Sequence, residues 1–402
     1  KILGAIKKMK ESLFNYRFEY ENQKYIFNTN NNGLIQINND IFTEEEREYL
    51  RVNRFWVDDN EDEIALLERE INHNIQKRQK ELELTIALTN YCNFSCVYCY
   101  QNKNEKLMTT EVANMIIEKI DRILNDNIFE GINIHYFGGE PLLNIPVLIY
   151  LDENIKKITD KIGIVYKAFL TTNGSMLSKE LLQKVKFSSI QLTFDGLEKT
   201  HDRLRVSDHF HFKEEIELIE NIMNFSQAKV LLRTNICKEN KDEIIALHKY
   251  IFEKFGNERI EINPNRTIKY HQDDSFEMLS VQEYAEVAYQ IKLLWSEQKG
   301  KFELPVPRST PCKFPYGNAY AISPEGYCTF CSGSMDQEKK YFFDVDIENK
   351  KMFSVRKECK KCNILPLCLG GCIIQYNLRA GACTYEKYEL KNILISYIKH
   401  IS

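Results

Sequence analysis

Nothing in this 402-residue chain approaches the roughly 20 consecutive apolar residues that a membrane-spanning helix needs, although 43% of its residues are hydrophobic. Tryptophan is scarce, with two residues, and proline sparse, with nine. Net charge is also slight, at -4. So near-neutral a balance provides neither the basic face that binds nucleic acid nor the acidic run of a disordered tail. There is no internal repeat and no low-complexity tract. Residues Lys1 to Lys10 are basic and partly apolar, but they lack a continuous apolar centre and a small-residue cleavage site, so no signal peptide is read. The first residue is not Met, which points to a trimmed or processed start. These absences leave a cytoplasmic protein with no membrane and no nucleic-acid partner as the expectation.

What is plentiful is cysteine, with twelve residues. In a reducing compartment, clustered cysteines read as metal or redox sites, not disulfides. They fall at Cys92, Cys96 and Cys99, then at Cys312, Cys328, Cys331, Cys359, Cys362, Cys368, Cys372 and Cys383, with Cys237 apart.

The chain divides into a small α+β module over 1–80, an α/β core over 81–304, a cysteine-rich segment over 305–385 and a closing helix over 386–402. In the first zone, residues 16–28 alternate bulky and polar types, break at Asn30–Gly33 and resume with Leu34, Ile35 and Ile37, a hairpin signal. Thr43 followed by three glutamates is a helix start. A second helix is expected from Asp62 to near Lys80. In the core, apolar runs at 82–88, 132–137, 164–170, 190–194, 230–236 and 260–262 alternate with helical patterns such as Val112, Ile116, Ile120 and Ile123. Six strand–helix units imply a parallel sheet with right-handed crossovers, and the continuous apolar runs suit strands covered by helices. Six units are too few for a closed eight-fold barrel, so the expected fold class is α/β, a partial (β/α)6 barrel. Ligands then bind where strands end and loops begin. Pro305, Pro307, Pro311, Pro315 and Pro324 fragment the third zone, which reads as loop-like and in need of internal staples. The last helix is expected to pack back on the barrel.

Cys92, Cys96 and Cys99 follow the first core strand with C-x3-C-x2-C spacing. Three close thiolates can hold three irons of a cubane cluster and leave the fourth open to a ligand. Zinc is the competing occupant, but it needs a fourth ligand; His73 and His135 lack motif spacing. With Tyr98 in the aromatic slot, the motif resembles that of radical S-adenosylmethionine (SAM) enzymes. The resemblance implies that the open iron chelates SAM, and that one electron cleaves the cofactor to a 5′-deoxyadenosyl radical. It also implies cofactor contacts from Gly138, Gly139 and Glu140 after the second strand, Thr172 and Asn173 after the third, and Thr193 and Asp195 after the fourth. Arg233 on the fifth is a candidate partner for the cofactor carboxylate. His201 and Arg205, in HDRLR, match a common family pattern without an assigned role. No catalytic acid or base is identified.

The C-terminal cysteines resemble the seven-cysteine SPASM pattern of peptide-modifying radical enzymes. The resemblance implies two auxiliary [4Fe–4S] clusters, three in all. One would use Cys359, Cys362, Cys368 and Cys383, and the other Cys312, Cys331 and Cys372. Cys328 is a candidate fourth ligand of the latter; otherwise one iron is open. Cys237 reads as a buried core thiol, with hydrogen-atom donation by Cys237 or Cys328 as the alternative. The N-terminal module loosely resembles a winged-helix peptide-recognition element, or is a packing extension. The implied function is maturation of a ribosomally made precursor peptide, recognised through its leader, by a thioether or carbon–carbon cross-link. The electron donor would be a flavodoxin or ferredoxin. Anaerobic sulfatase maturation and peptide epimerisation are the alternatives within this chemistry. Against sulfatase maturation, about 90 residues precede Cys92, and Ser332, not Asp, follows Cys331. Outside enzymes, the alternative is a zinc-stabilised binding protein.

Overall fold

The structure is a computed structural model and describes residues 8–37, 42–126, 129–256, 259–269, 275–329, 331–334, 340–345, 352–372 and 383–401. Most of the basic N-terminal stretch, residues 1–7, lies outside them. The chain forms two compact units. One comprises Lys1–Gln76, Val281–Cys312 and Met352–Ser402; the other comprises Lys77–Ser280 and Lys313–Lys351.

In the first unit, β1 (Met9–Glu11) precedes a three-stranded antiparallel sheet of β2 (Asn15–Tyr20), β3 (Gln23–Asn28) and β4 (Gly33–Ile37). The run read from sequence as one strand over 16–28 turns back at Glu21 and Asn22, whose φ angles are 49° and 61°. Two positive φ angles match the right-handed twist of the flanking strands. Helix α1 (Glu44–Val52) starts at Thr43 in a full capping box with Glu46. β5 (Trp56–Asp58) pairs with β1, and α2 (Glu63–Arg78) follows.

The second unit is built on a nine-stranded sheet. β6 (Glu81–Ala87), β7 (Gly131–Phe137), β8 (Val165–Thr171), β9 (Phe187–Thr193), β10 (Lys229–Ile236) and β11 (Ile260–Arg266) run parallel in chain order. Between them lie α3 (Thr110–Asp126), α4 (Ile145–Ile162), α5 (Lys179–Lys184), α6 (Glu198–Leu204), α7 (Phe212–Phe225) and α8 (Ile244–Phe255). This is the expected open α/β sheet. Its strands are less uniformly covered than their apolar runs imply. β6 is buried along nearly its whole length, but β7 and β10 alternate. Ile132, Ile134 and Tyr136 are buried, while Asn133, His135 and Phe137 are half-exposed; Arg233 and Asn235 are likewise half-exposed on β10. The half-exposed face thus carries Asn133, His135, Arg233 and Asn235 beside the ring of Phe137.

In unit 1 again, α9 (Val281–Lys299) follows the core strands. The third zone is more regular than a loop. After α10 (Lys313–Tyr316), β12 (Ala319–Ile322) adds to β6 in parallel, and β13 (Tyr327–Thr329) and β14 (Lys340–Tyr341) continue the sheet antiparallel. Four residues of a strand, paired with residues more than 230 positions earlier, leave no local periodicity to read. Cysteine-bearing α11 (Leu365–Cys368) and the final helix α12 (Glu386–Ile401) belong to the first unit. Leu390, Leu394 and Ile398 share a core with Phe18, Tyr25 and Phe27 of the three-stranded sheet and with Ile364 and Leu367. α12 also lies against α9, where Lys292 Nζ meets the buried Glu389 carboxylate at 2.5 Å and Tyr289 pairs with Ser396 at 2.7 Å.

Candidate active site

The loop after β6 carries Cys92, Cys96 and Cys99, all half-buried free thiols. Its path is set by its own backbone. Phe94 N–H points at Cys92 Sγ at 3.4 Å, Cys99 N donates to Cys96 O at 3.1 Å, and Lys103 Nζ donates to Phe94 O. Burial raises the Cys92 thiol, opposed by the Phe94 N–H; burial pushes Cys96 up to about 11, opposed by the Arg205 guanidinium. Each of these two thiols feels the charges of its neighbours in the motif, so the three lie in mutual electrostatic reach.

The loop after β7 packs against the start of the cysteine loop. Gly139 N donates to Thr89 O at 2.8 Å and Glu140 N to Tyr91 O at 2.9 Å. A Cβ on Gly138 would meet Thr89 O at 2.3 Å, and one on Gly139 would meet Tyr91 O at 2.2 Å. The two glycines therefore admit this chain's own backbone, where the sequence suggested approach by a ligand. Glu140 is fully buried. Its carboxylate accepts from Leu142 N at 3.0 Å, Thr172 Oγ1 at 2.7 Å and Asn173 N at 2.7 Å. Burial raises its pKa and these three donors pull it down. Asn173 continues the chain of contacts, donating to Asn93 Oδ1 at 2.8 Å and approaching Cys92 Sγ at 3.9 Å. Glu140, Thr172 and Asn173 thus lock the ends of β7 and β8 to the cysteine loop.

The loop after β9 presents Asp195, also fully buried. Its Oδ1 accepts from Asn235 N at 2.7 Å and its Oδ2 from the Tyr98 hydroxyl. Asn240 Nδ2 donates to the Asp195 carbonyl at 2.7 Å. Thr193 is buried at the end of β9, and Arg233 is half-buried on β10 with its Nε on Asn235 Oδ1 at 2.9 Å. Cys237 is a fully buried core thiol beside Leu204, Phe276, Val97 and Tyr98.

The expected cofactor residues therefore converge on one rim, but two of their carboxylates already receive donors from the chain. A role missed from sequence belongs to Glu215 on α7, fully buried with His201 Nε2 at 3.1 Å and Arg205 Nε at 4.0 Å. The HDRLR pattern was the only available hint, since Glu215 itself sits in an ordinary amphipathic helix.

In the other unit, Cys359, Cys362, Cys368 and Cys383 form a second thiol group. Cys359 feels the charges of Cys362 and Cys383, and Cys368 that of Cys362. Cys362 N donates to Cys359 O at 3.0 Å, and Gly370 N–H points at Cys368 Sγ at 3.4 Å. The N-terminal module holds this block: Thr29 Oγ1 donates to Asn363 O at 2.5 Å, and Asn363 Nδ2 to Asn15 O at 3.1 Å. On α2, Glu68 Oε1 accepts from Val355 N at 2.7 Å, and Asn72 is paired with Phe353 through two backbone bonds. Cys312 and Cys372 are exposed in this unit. Cys331 is half-buried in the other, where Cys328 is buried on β13.

Both thiol groups suit an iron–sulfur cluster by their chemistry. Each provides several sulfur donors, and each has a backbone N–H aimed at a sulfur, a contact that tunes such clusters. Among the described residues, no three His, Cys, Asp or Glu side chains close to the distances of a single metal ion. Thiolates of a cluster bind different irons and have no need to close so far.

Residues 86–251 match the Radical SAM superfamily. The chain is 24% identical over 372 residues to the radical SAM cyclopropyl synthase TigE of Paramaledivibacter caminithermalis, covering 81% of this chain and 76% of the relative. It spans only 39% of an uncharacterised Methanocaldococcus jannaschii protein, at 34% identity over 119 residues and 29% of this chain. Among solved structures, anSMEcpe with bound AdoMet and Cp18Cys peptide superposes with a TM-score of 0.64 at 17% identity, covering 80% of this chain and 100% of that one. Streptococcus suis SuiB bound to precursor peptide SuiA gives 0.54 at 16% identity, covering 92% and 97%. The sheet, the loop order along it and the family match agree: residues 86–251 form a radical SAM domain.

Proposed function

We propose that this enzyme matures a ribosomally made precursor peptide by forming a carbon–carbon or thioether cross-link. The observation that carries the reading is the second thiol group, Cys359, Cys362, Cys368 and Cys383, set in the same unit as the N-terminal module. Similarity to a cyclopropyl synthase over most of both chains supports it and favours a carbon–carbon bond. The fold shared with SuiB, solved with its precursor peptide, is compatible with a peptide substrate.

In this reading Cys92, Cys96 and Cys99 hold the SAM-binding cluster. Cys359, Cys362, Cys368 and Cys383 hold one auxiliary cluster, and the sequence resemblance alone assigns Cys312, Cys331 and Cys372 to another, with either Cys328 or an open iron position completing it. When bound, these groups supply the 5′-deoxyadenosyl radical and an acceptor for one surplus electron. The peptide would give up one hydrogen atom to that radical, which becomes 5′-deoxyadenosine, and then a proton and an electron as the new bond closes. Arg233 and Thr193, on the half-open face, meet the polar parts of SAM. Tyr98, Glu140, Thr172, Asn173 and Asp195 fix the rim, and Gly138 and Gly139 let it close. A flavodoxin or ferredoxin is the expected reductant. No helix among the described residues is long and apolar enough to cross a membrane.

Anaerobic purification should yield a brown protein with about twelve irons, four per cluster. Precursor peptide deuterated at the cross-linked residue should transfer label to 5′-deoxyadenosine. An iron-loaded enzyme that cleaves SAM without acquiring label would remove the peptide as hydrogen donor.

A further inference from the structure

The His201-Asp202-x-x-Arg205 motif takes no part in the chemistry above, yet its three named side chains all have fixed positions. His201 is 1% exposed, its ring 5.5 Å from those of both Phe194 and Phe212, and its Nε2 is 3.1 Å from Glu215 Oε2. Asp202 Oδ1 accepts from Phe212 N at 2.9 Å, which anchors the first residue of α7. Arg205 is 5% exposed, with Nε 4.0 Å from Glu215 Oε2 and its guanidinium carbon 5.3 Å from the centre of the Phe94 ring. The backbone around Arg205 also grips the cysteine loop: Ser95 N donates to Val206 O at 2.8 Å and Val97 N to Leu204 O at 3.0 Å. Arg205 is therefore a buried cation folded under the segment between Cys92 and Cys99.

A guanidinium so far from water is costly unless anions surround it. Burial works to lower its pKa, but the facing negative charge, that of Glu215 above all, holds it well above the ordinary value. Glu215, 0% exposed, lies beside Arg205 and His201 on α7. The other cation near these thiols, Lys103, already donates to the Phe94 carbonyl.

We propose that Arg205 is a positioning residue that presents a fixed positive charge to the cysteine loop, that Glu215 limits how much of it the loop feels, and that together they set the reduction potential of a cluster held by Cys92, Cys96 and Cys99. The proposal rests on the cluster reading above. Reduction adds one negative charge in a poorly screened site, so a nearby cation favours the reduced form and a nearby anion opposes it.

The test is a redox titration of the reconstituted full-length enzyme, following by EPR the cluster signal that changes when SAM is added. Arg205→Met should shift the reduction equilibrium on the order of tenfold against the reduced form, about 59 mV downward for one electron. Glu215→Gln should shift it in the opposite direction, and Arg205→Lys should return most of the Arg205→Met shift. A merely structural role predicts lower iron content in each variant and no opposed shifts. Shifts of the same sign, or none, overturn the proposal. If Arg205→Met fails to retain iron, Glu215→Gln decides alone: an upward shift supports the proposal, and no shift or a downward one overturns it. A wild-type enzyme without a SAM-responsive signal would sink the cluster reading itself, an outcome distinct from a loaded enzyme whose variants fail to shift.

Discussion

The Tyr98 hydroxyl donates its proton to Asp195 Oδ2, joining the aromatic slot of the cysteine motif to the end of the fourth core strand. Sequence reading gave both residues to the cofactor. Their pairing makes them a clasp between two loops that are 97 positions apart.

Tyr98→Phe keeps the ring against Phe276 and leaves a fully buried carboxylate one donor short. The expected cost is about 1–3 kcal/mol of folding stability. Thermal unfolding of the iron-free protein measures it, and faster iron loss from the loaded protein should accompany it. An unchanged melting temperature would show that the clasp carries no strain-bearing role.

Gly139→Ala places a Cβ 2.2 Å from the Tyr91 carbonyl, where the whole cysteine loop would have to move. Overpacking of this kind costs on the order of 1–3 kcal/mol or more. The matched control is Gly163→Ala, at the αL cap of α4, where nothing lies within 4 Å. The control should lose a little stability and keep its iron; Gly139→Ala should lose both stability and upstream iron.

His248, on the buried face of α8, is 2% exposed, with Nε2 3.2 Å from Thr234 Oγ1, and burial lowers its pKa to about 4. Its folded pKa lies below the unfolded value of about 6.5, so the unfolded chain takes up the proton first as pH falls. Stability is therefore intact above about pH 6.5 and declines towards pH 4, by an amount on the order of 3 kcal/mol at full extent. Urea unfolding at several pH values should show a shallower decline over that window in His248→Leu. An identical slope in both proteins would assign the loss to other groups.

Glu68→Ala removes the acceptor of the Val355 N–H on the segment leading into Cys359. Stability should fall by about 1 kcal/mol. Iron in the Cys359–Cys383 group should become labile while the SAM-responsive signal persists. Glu68→Gln, which keeps an acceptor oxygen, should retain that iron.

The core strands were legible because their apolar runs are bounded by turn residues, and the site because its motifs fall where those strands end. Thr43 and Glu46 announced a helix start through side chains that act within one turn. What escaped depends on distance along the chain. β12 reveals itself only through its pairing with β6, while the local reversal at Glu21–Asn22 was masked because only Asn22 of the two is a turn-forming type. Glu215 reads as one more polar residue on a helix until Arg205 and His201 are seen beside it. The units themselves are discontinuous, with residues 281–312 grouped with the N-terminal module.

β12 has one more implication. Thr85 and Ile86, just upstream of the cysteine loop, pair on one side with His135 and Tyr136 and on the other with Ala321 and Ile322. The strand that leads into the cysteine loop is thus an interior strand, thanks to residues far downstream. A fragment cut to the minimal 86–251 region would keep only Ile86 and Ala87 of β6 and leave β7 as a bare edge, ready to zip onto another copy. Excising the domain would exchange a folded sheet for a template for aggregation.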